Sequence, residues 1–199
     1  MKKALEAYWG DKISAEELLK VAKEQRLNTY ATIKEQGVDF VPTGTFSLYD
    51  HVLDMSNTLG IIPEAYAKSG LSQLDTYFAM ARGHQKGGVD LPATEMKKWF
   101  DSNYHYLVPE FSEKSEFKLN DNKPVDDFIE AKEAGYNARP VILGPLTLLW
   151  LGKTSKDAQD PNFNRYSLLP KLAQTYVQLF EKLAAAGAPW VQLDEPILV

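Results

Sequence analysis

Cysteine is missing altogether: none occurs in 199 residues. That excludes a disulfide framework, a thiolate nucleophile and any cysteine-ligated zinc or iron–sulfur centre built from this chain alone. Apolar runs are short as well. None approaches the roughly 20 residues of a membrane span, and the opening Met1–Glu6 has no signal-peptide core, so the chain reads as a cytoplasmic protein. Positive charge is in deficit, with 22 Lys+Arg against 27 Asp+Glu and a formal net charge of -5. Without a basic cluster a nucleic-acid surface is not expected. The strand-to-helix turns lack the glycine fingerprint that cradles phosphates. The three histidines, His51, His84 and His105, show neither His-x-x-x-His nor His-x-x-Glu-His spacing, so no metal site is expected within the chain.

What is present is a core-forming composition, 44% hydrophobic, enough for one domain that buries roughly 70% of its unfolded surface. Ser14 and Glu17 form a capping-box pattern at the head of a helical period that Gly37 can end. The run Val38–Pro42 reads as a short strand. Helices are expected from about Leu48 to Leu59 and from Ser72 to Ala81, with a mobile loop over about 84–92. Trp99, Phe100, Tyr104, Tyr106 and Phe111 form an aromatic stripe, read as core packing. Phe117–Leu119 is a short strand candidate. Pro124 opens a helix that Gly135 closes, Arg139–Pro145 reads as a strand buried on both faces, and Ser167–Ala186 is a long amphipathic helix ended by Gly187. Trp190–Pro196 is then a second buried strand, finishing in two acids.

A unit recurs: helix, glycine, short gap, apolar strand, polar residues at the strand's carboxyl end. That order fits an α/β fold, either an open doubly wound sheet or a (β/α)8 TIM-type barrel, with chemistry at the carboxyl ends of the strands. The candidate site face therefore includes Asp194, Glu195, Asp50 and His51. Asp194 or Glu195 can act as general acid or base or hold an amine, and only one of two adjacent strand residues should face the mouth. His51, next to Asp50 and three residues before Asp54, invites a triad, although a hydrogen-bonded structural histidine is the commoner case. Lys97 and Lys98 read from pattern alone as surface charge.

The segments KKALEAYW (Lys2–Trp9), FSLYDHVL (Phe46–Leu53), EMKKWFDSNYHYLVPEF (Glu95–Phe111), VILGPLTLLWLGK (Val141–Lys153) and WVQLDEPILV (Trp190–Val199) resemble, in order, the amino-terminal domain of the cobalamin-independent methionine synthases. The resemblance implies one of two (β/α)8 barrels, here an incomplete one lacking its first and last strands, with residues 1–199 forming a single domain truncated at both ends. It implies transfer of a methyl group from 5-methyltetrahydropteroyltriglutamate to homocysteine on a zinc held by the other, carboxyl-terminal barrel. This chain would then have no catalytic residue, no metal and no cofactor of its own, and would be inactive alone. Its share would be scaffold and weak binding of the folate polyglutamate tail. The family's tail-binding lysine before the Trp-Phe pair corresponds to Lys98. Of its Arg-Glu-Leu-Lys segment only the last residue, Lys2, is present. Implied partners are the folate polyglutamate and the zinc- and homocysteine-bearing barrel, with self-association through open sheet edges. A self-standing barrel enzyme using Asp194 or Glu195 with His51, and a non-catalytic assembly module, are the competing readings.

Overall fold

The computed structural model describes residues Met1–Val199. Helices α1 (Lys2–Trp9) and α2 (Ala15–Glu35) lead into strand β1 (Val41–Thr43), followed by α3 (His51–Thr58), the single turn α4 (Glu64–Ala67) and α5 (Gln73–Arg82). A strand-rich stretch follows: β2 (His84–Lys86), β3 (Val89–Leu91), β4 (Met96–Lys98), β5 (His105–Leu107) and β6 (Glu110–Phe111). The chain returns to alternation with α6 (Lys123–Glu133), β7 (Ala138–Leu143), α7 (Pro145–Leu151), β8 (Lys153–Thr154), α8 (Leu169–Ala185) and β9 (Gln192–Asp194).

Local chemistry sets most helix ends. Glu17 N–H donates to Ser14 Oγ at 3.2 Å while Ser14 N–H donates to the Glu17 carboxylate at 2.7 Å, which closes the capping box on α2. The ends of α6 and α8 are matched Schellman turns. Gly135 N–H reaches Lys132 O and Tyr136 N–H reaches Ala131 O, and the same pattern links Gly187 to Ala184 and Ala188 to Leu183. Both glycines take positive φ, 86° and 91°, the left-handed conformation that this turn requires.

The central sheet has three parallel strands in the order β1-β7-β9. Its register sets Val41 against Ala138 and Leu143 against Asp194. Helices α6 and α8 pack with the sheet around the larger core, centred on Ile142, Leu148, Leu172 and Leu179. A second core lies between α5 and α1, where Phe78 meets Tyr8 and Trp9 and the Arg82 guanidinium lies 3.8 Å from the Trp9 ring centre.

The fold is thus mixed α/β with a parallel sheet, and no closed barrel is seen: the remaining strands pair off in three separate two-stranded sheets. Several expectations need correcting. Residues 84–92, read as a mobile loop, form the antiparallel hairpin of β2 and β3, because Gly87 and Gly88 both take the positive φ that a tight two-residue hairpin turn demands. Phe117–Leu119 is not a strand, although Phe117 and Leu119 pack on the larger core. The strand expected over Trp190–Pro196 is only Gln192–Asp194 and lies at the sheet edge, leaving Leu193 41% exposed rather than buried. The aromatic stripe splits. Tyr106 and Phe111 are core, whereas Tyr104 is 44% exposed.

Candidate functional site

The carboxyl ends of β1, β7 and β9 open into a cavity of about 960 Å³. Its walls come from the loop after β1, the first turn of α3, the tip of the β4–β5 hairpin, the head of α6 and the Asp194–Glu195 strand end. Gly44 lets the β1 loop pass close to β7: its φ is +80°, and a Cβ there would sit 2.7 Å from Val141 O.

The two terminal acids do different jobs. Glu195 turns its carboxylate onto the head of α7, accepting Leu146 N–H at 2.9 Å and Thr147 N–H at 2.7 Å. It satisfies two donors that a helix start leaves open, in favourable alignment with the helix dipole. A Cβ on Gly144 would lie 2.1 Å from the Glu195 carboxyl carbon, so that glycine is the space the cap occupies. Asp194 is less committed. Its backbone carbonyl accepts Gly144 N–H at 2.8 Å, and one carboxylate oxygen accepts from the Gln192 side chain at 2.8 Å.

Asp50 and His51 also part ways. Asp50, 1% exposed, caps α3 by accepting Leu53 N–H at 2.9 Å. It also accepts Tyr104 O–H at 2.7 Å and Leu107 N–H at 3.1 Å. A carboxylate with three donors is a bolt between α3 and the β4–β5 hairpin, not a base facing the cavity. His51 does line the cavity, its ring 4.6 Å from that of Trp99 and stacked 5.6 Å from Tyr104. Burial lowers its pKa below the usual imidazole value, against the opposing pull of Asp50 and Asp194. The Asp50–His51 pair therefore does not form a nucleophile-activating triad.

A buried ionic network lies beneath the cavity, and of its pairs only Lys123–Asp127, four residues apart on α6, has a spacing that the sequence displays. Tyr77 O–H donates to Asp54 at 2.7 Å and accepts Tyr49 N–H at 3.1 Å. Lys123 lies 3.7 Å from Asp54, 2.6 Å from Asp127, and donates to Phe46 O at 2.8 Å. Arg26 makes a bidentate pair with Glu130 at 2.7 and 2.8 Å and reaches Asp127 at 3.5 Å. Burial lifts the Asp54 carboxyl to about 6, with Lys123, Ser47 and Tyr77 holding it back. Burial works against the Lys123 ammonium too, but Asp54 and Asp127 outweigh it and raise its pKa. Asp54, three residues after His51, and Asp127, at the head of the helix that Pro124 opens, stand out in the sequence for other reasons; Tyr77 and Lys123, the partners of Asp54, are far from it along the chain.

Lys98 and Lys2 lie elsewhere. Lys98 sits in the exposed strand β4 opposite His105 and forms no ion pair, while its neighbour Lys97 lies 3.5 Å from Glu95. Lys2 begins α1 with its side chain 88% exposed, 3.9 Å from Glu6. Neither lines the cavity. No group of three or more His, Cys, Asp or Glu side chains is placed to hold a metal ion, and no helix is long and apolar enough to cross a membrane.

Taken together, the parallel sheet, its helical crossovers and a cavity at the strands' carboxyl ends define an α/β protein of the kind that hosts small-molecule sites at that end. The family described as cobalamin-independent synthase, N-terminal domain, matches residues 1–199. The chain is 53% identical to a probable 5-methyltetrahydropteroyltriglutamate–homocysteine methyltransferase of Schizosaccharomyces pombe and 51% identical to the Saccharomyces cerevisiae methyltransferase of that name. It is 50% identical to the corresponding protein of a Chelativorans species. In each case all of this chain but only 26% of the relative is covered, so the chain spans about a quarter of the length of the curated relatives it matches. It belongs to the cobalamin-independent synthase N-terminal domain family.

Proposed function

We propose that the chain serves as the folate-side domain of a cobalamin-independent methionine synthase, an enzyme that moves a methyl group from 5-methyltetrahydropteroyltriglutamate to homocysteine. The observation that carries this reading is identity near 50% along the whole chain to proteins bearing that activity in their names. Within it, the three-stranded sheet is part of a (β/α)8 barrel, a reading supported by parallel strands joined through helices. The domain supplies scaffold and a cationic contact for the glutamate tail. That tail is a string of carboxylates, and an ammonium free of any protein carboxylate suits it. Lys98 is such a group, on a strand whose residues are all exposed. Lys2 is a secondary contact, shared with Glu6 and raised on a terminal helix.

The residues present do not fit a zinc centre, since the chain has no cysteine and no ligand cluster. Zinc and homocysteine therefore belong on this reading to a partner domain, and the setting is the cytoplasm. Glu195, engaged on α7, and Asp50, engaged on α3, weigh against a self-standing acid–base enzyme. The test is an assay for methionine from homocysteine and methyltetrahydrofolate triglutamate. The 199-residue chain by itself gives none; methionine formed with no second chain present overturns the reading.

A further inference from the structure

We propose, on the tail-binding reading of Lys98 above, that His105 is a second contact for the glutamate tail and takes up a proton as a tail carboxylate binds. The ladder of the β4–β5 hairpin pairs Met96 with Leu107, Lys97 with Tyr106 and Lys98 with His105. Residues directly opposite in an antiparallel pair share a face, with Cβ atoms about 5 Å apart. Lys98 and His105 therefore project side by side, close enough to hold the two oxygens of one carboxylate. Lys97 and Tyr106 belong to the other face, where Tyr106 O–H donates to Leu151 O at 2.9 Å and Lys97 lies 3.5 Å from Glu95. The register is fixed from within the chain, by the Leu107 N–H bond to Asp50 and by the Leu107 side chain buried in the second core.

A backbone contact sets the His105 ring. Nδ1 lies 3.1 Å from Asn103 O, and a carbonyl only accepts, so Nδ1 carries the proton. In the neutral ring Nε2 is then a lone pair that a carboxylate repels; in the imidazolium it is a donor. Imidazole is the side chain that makes this change between about pH 5 and 8. Lys98, across the ladder, opposes the charged ring until a carboxylate lies between the two, and Asp101 in the connecting turn is the nearby opposite charge in sequence. The other packed element is α3. There Asp50 is engaged by Leu53, Tyr104 and Leu107, Asp54 by Tyr77 and Lys123, and His51 lies against Trp99 and Tyr104. The arriving tail is thus the carboxylate that draws the proton onto Nε2.

The experiment is a calorimetric titration of the 199-residue chain with triglutamyl methyltetrahydrofolate at about pH 6 and about pH 8, in buffers of different ionisation enthalpy. The parent binds about threefold more tightly at the lower pH and takes up protons on binding. His105→Gln, shown folded by its thermal melt, matches the parent at the higher pH and loses both the gain and the uptake. His105→Arg, a permanent cation, binds at the higher pH as tightly as the parent does at the lower, and decides the matter if His105→Gln does not fold. Asp54, with its pKa of about 6, is common to all three proteins, so the difference between them belongs to His105. Lys98-dependent binding that is equal at the two pH values, or a gain and uptake that persist in His105→Gln, overturns the proposal and leaves the role of Lys98 standing. Triglutamate binding that is absent, or unchanged in Lys98→Ala, overturns both.

Discussion

Glycine 144 and Glu195 form one device read from opposite sides. The carboxylate caps α7 only because residue 144 has no side chain, and residue 144 tolerates no side chain only because the carboxylate is there. Glu195→Ala should cost about 1–2 kcal/mol for the lost cap. Gly144→Ala should cost about 1–3 kcal/mol through overpacking, since its own φ of -77° is open to alanine. The double variant should lose less than the sum, because the added methyl group then has room; additive losses in urea unfolding would show that the two are uncoupled. Asp54 gives a pH signature. Its folded pKa of about 6 exceeds the ordinary 3.8, so the folded state binds the proton more tightly and stability falls as pH rises between these values. The slope from this group is at most about 1.4 kcal/mol per pH unit. The stability of Asp54→Asn should be flatter than that of the parent over this window; parallel curves would refute the assignment.

At the scale of elements, the hairpin that carries Lys98 is held by one buried carboxylate. Asp50→Ala removes acceptors for Tyr104 O–H and Leu107 N–H together with the α3 cap. It should destabilise by about 2–4 kcal/mol and raise amide exchange across β4 and β5 above that of α8. Exchange that rises uniformly over the chain would contradict a local bolt. The elements that were legible in the sequence are those whose cause is local: the Ser14–Glu17 box, and the two glycines whose turns end α6 and α8. Hairpins were harder. Before Gly87–Gly88, β2 is wholly polar, and after it β3 alternates over only three residues, Val89-Asp90-Leu91, too few to announce a hairpin. The edge position of β9 was hidden because Trp190, Val191 and Leu193 read as apolar whether or not they are covered.

For the whole molecule, the sequence located the cavity end but not the division of labour within it. Position after a strand marks Asp194 and Glu195 alike, and only the geometry shows that one serves a helix while the other faces open space. Of the Arg26–Asp127–Lys123–Asp54 network only Lys123–Asp127, four residues apart on α6, follows a spacing rule; the pairs that reach Arg26 on α2 and Asp54 on α3 join separate elements and leave none. On the proposed reading Lys98, exposed and without a carboxylate partner, is the contact for an anionic tail. The most direct test of that role is a calorimetric titration with mono- and triglutamyl methyltetrahydrofolate at low and high salt. The triglutamate should bind more tightly, lose that advantage as salt screens the charges, and lose it also in Lys98→Ala. Equal affinity for the two forms, or unchanged triglutamate binding in Lys98→Ala, would contradict the account.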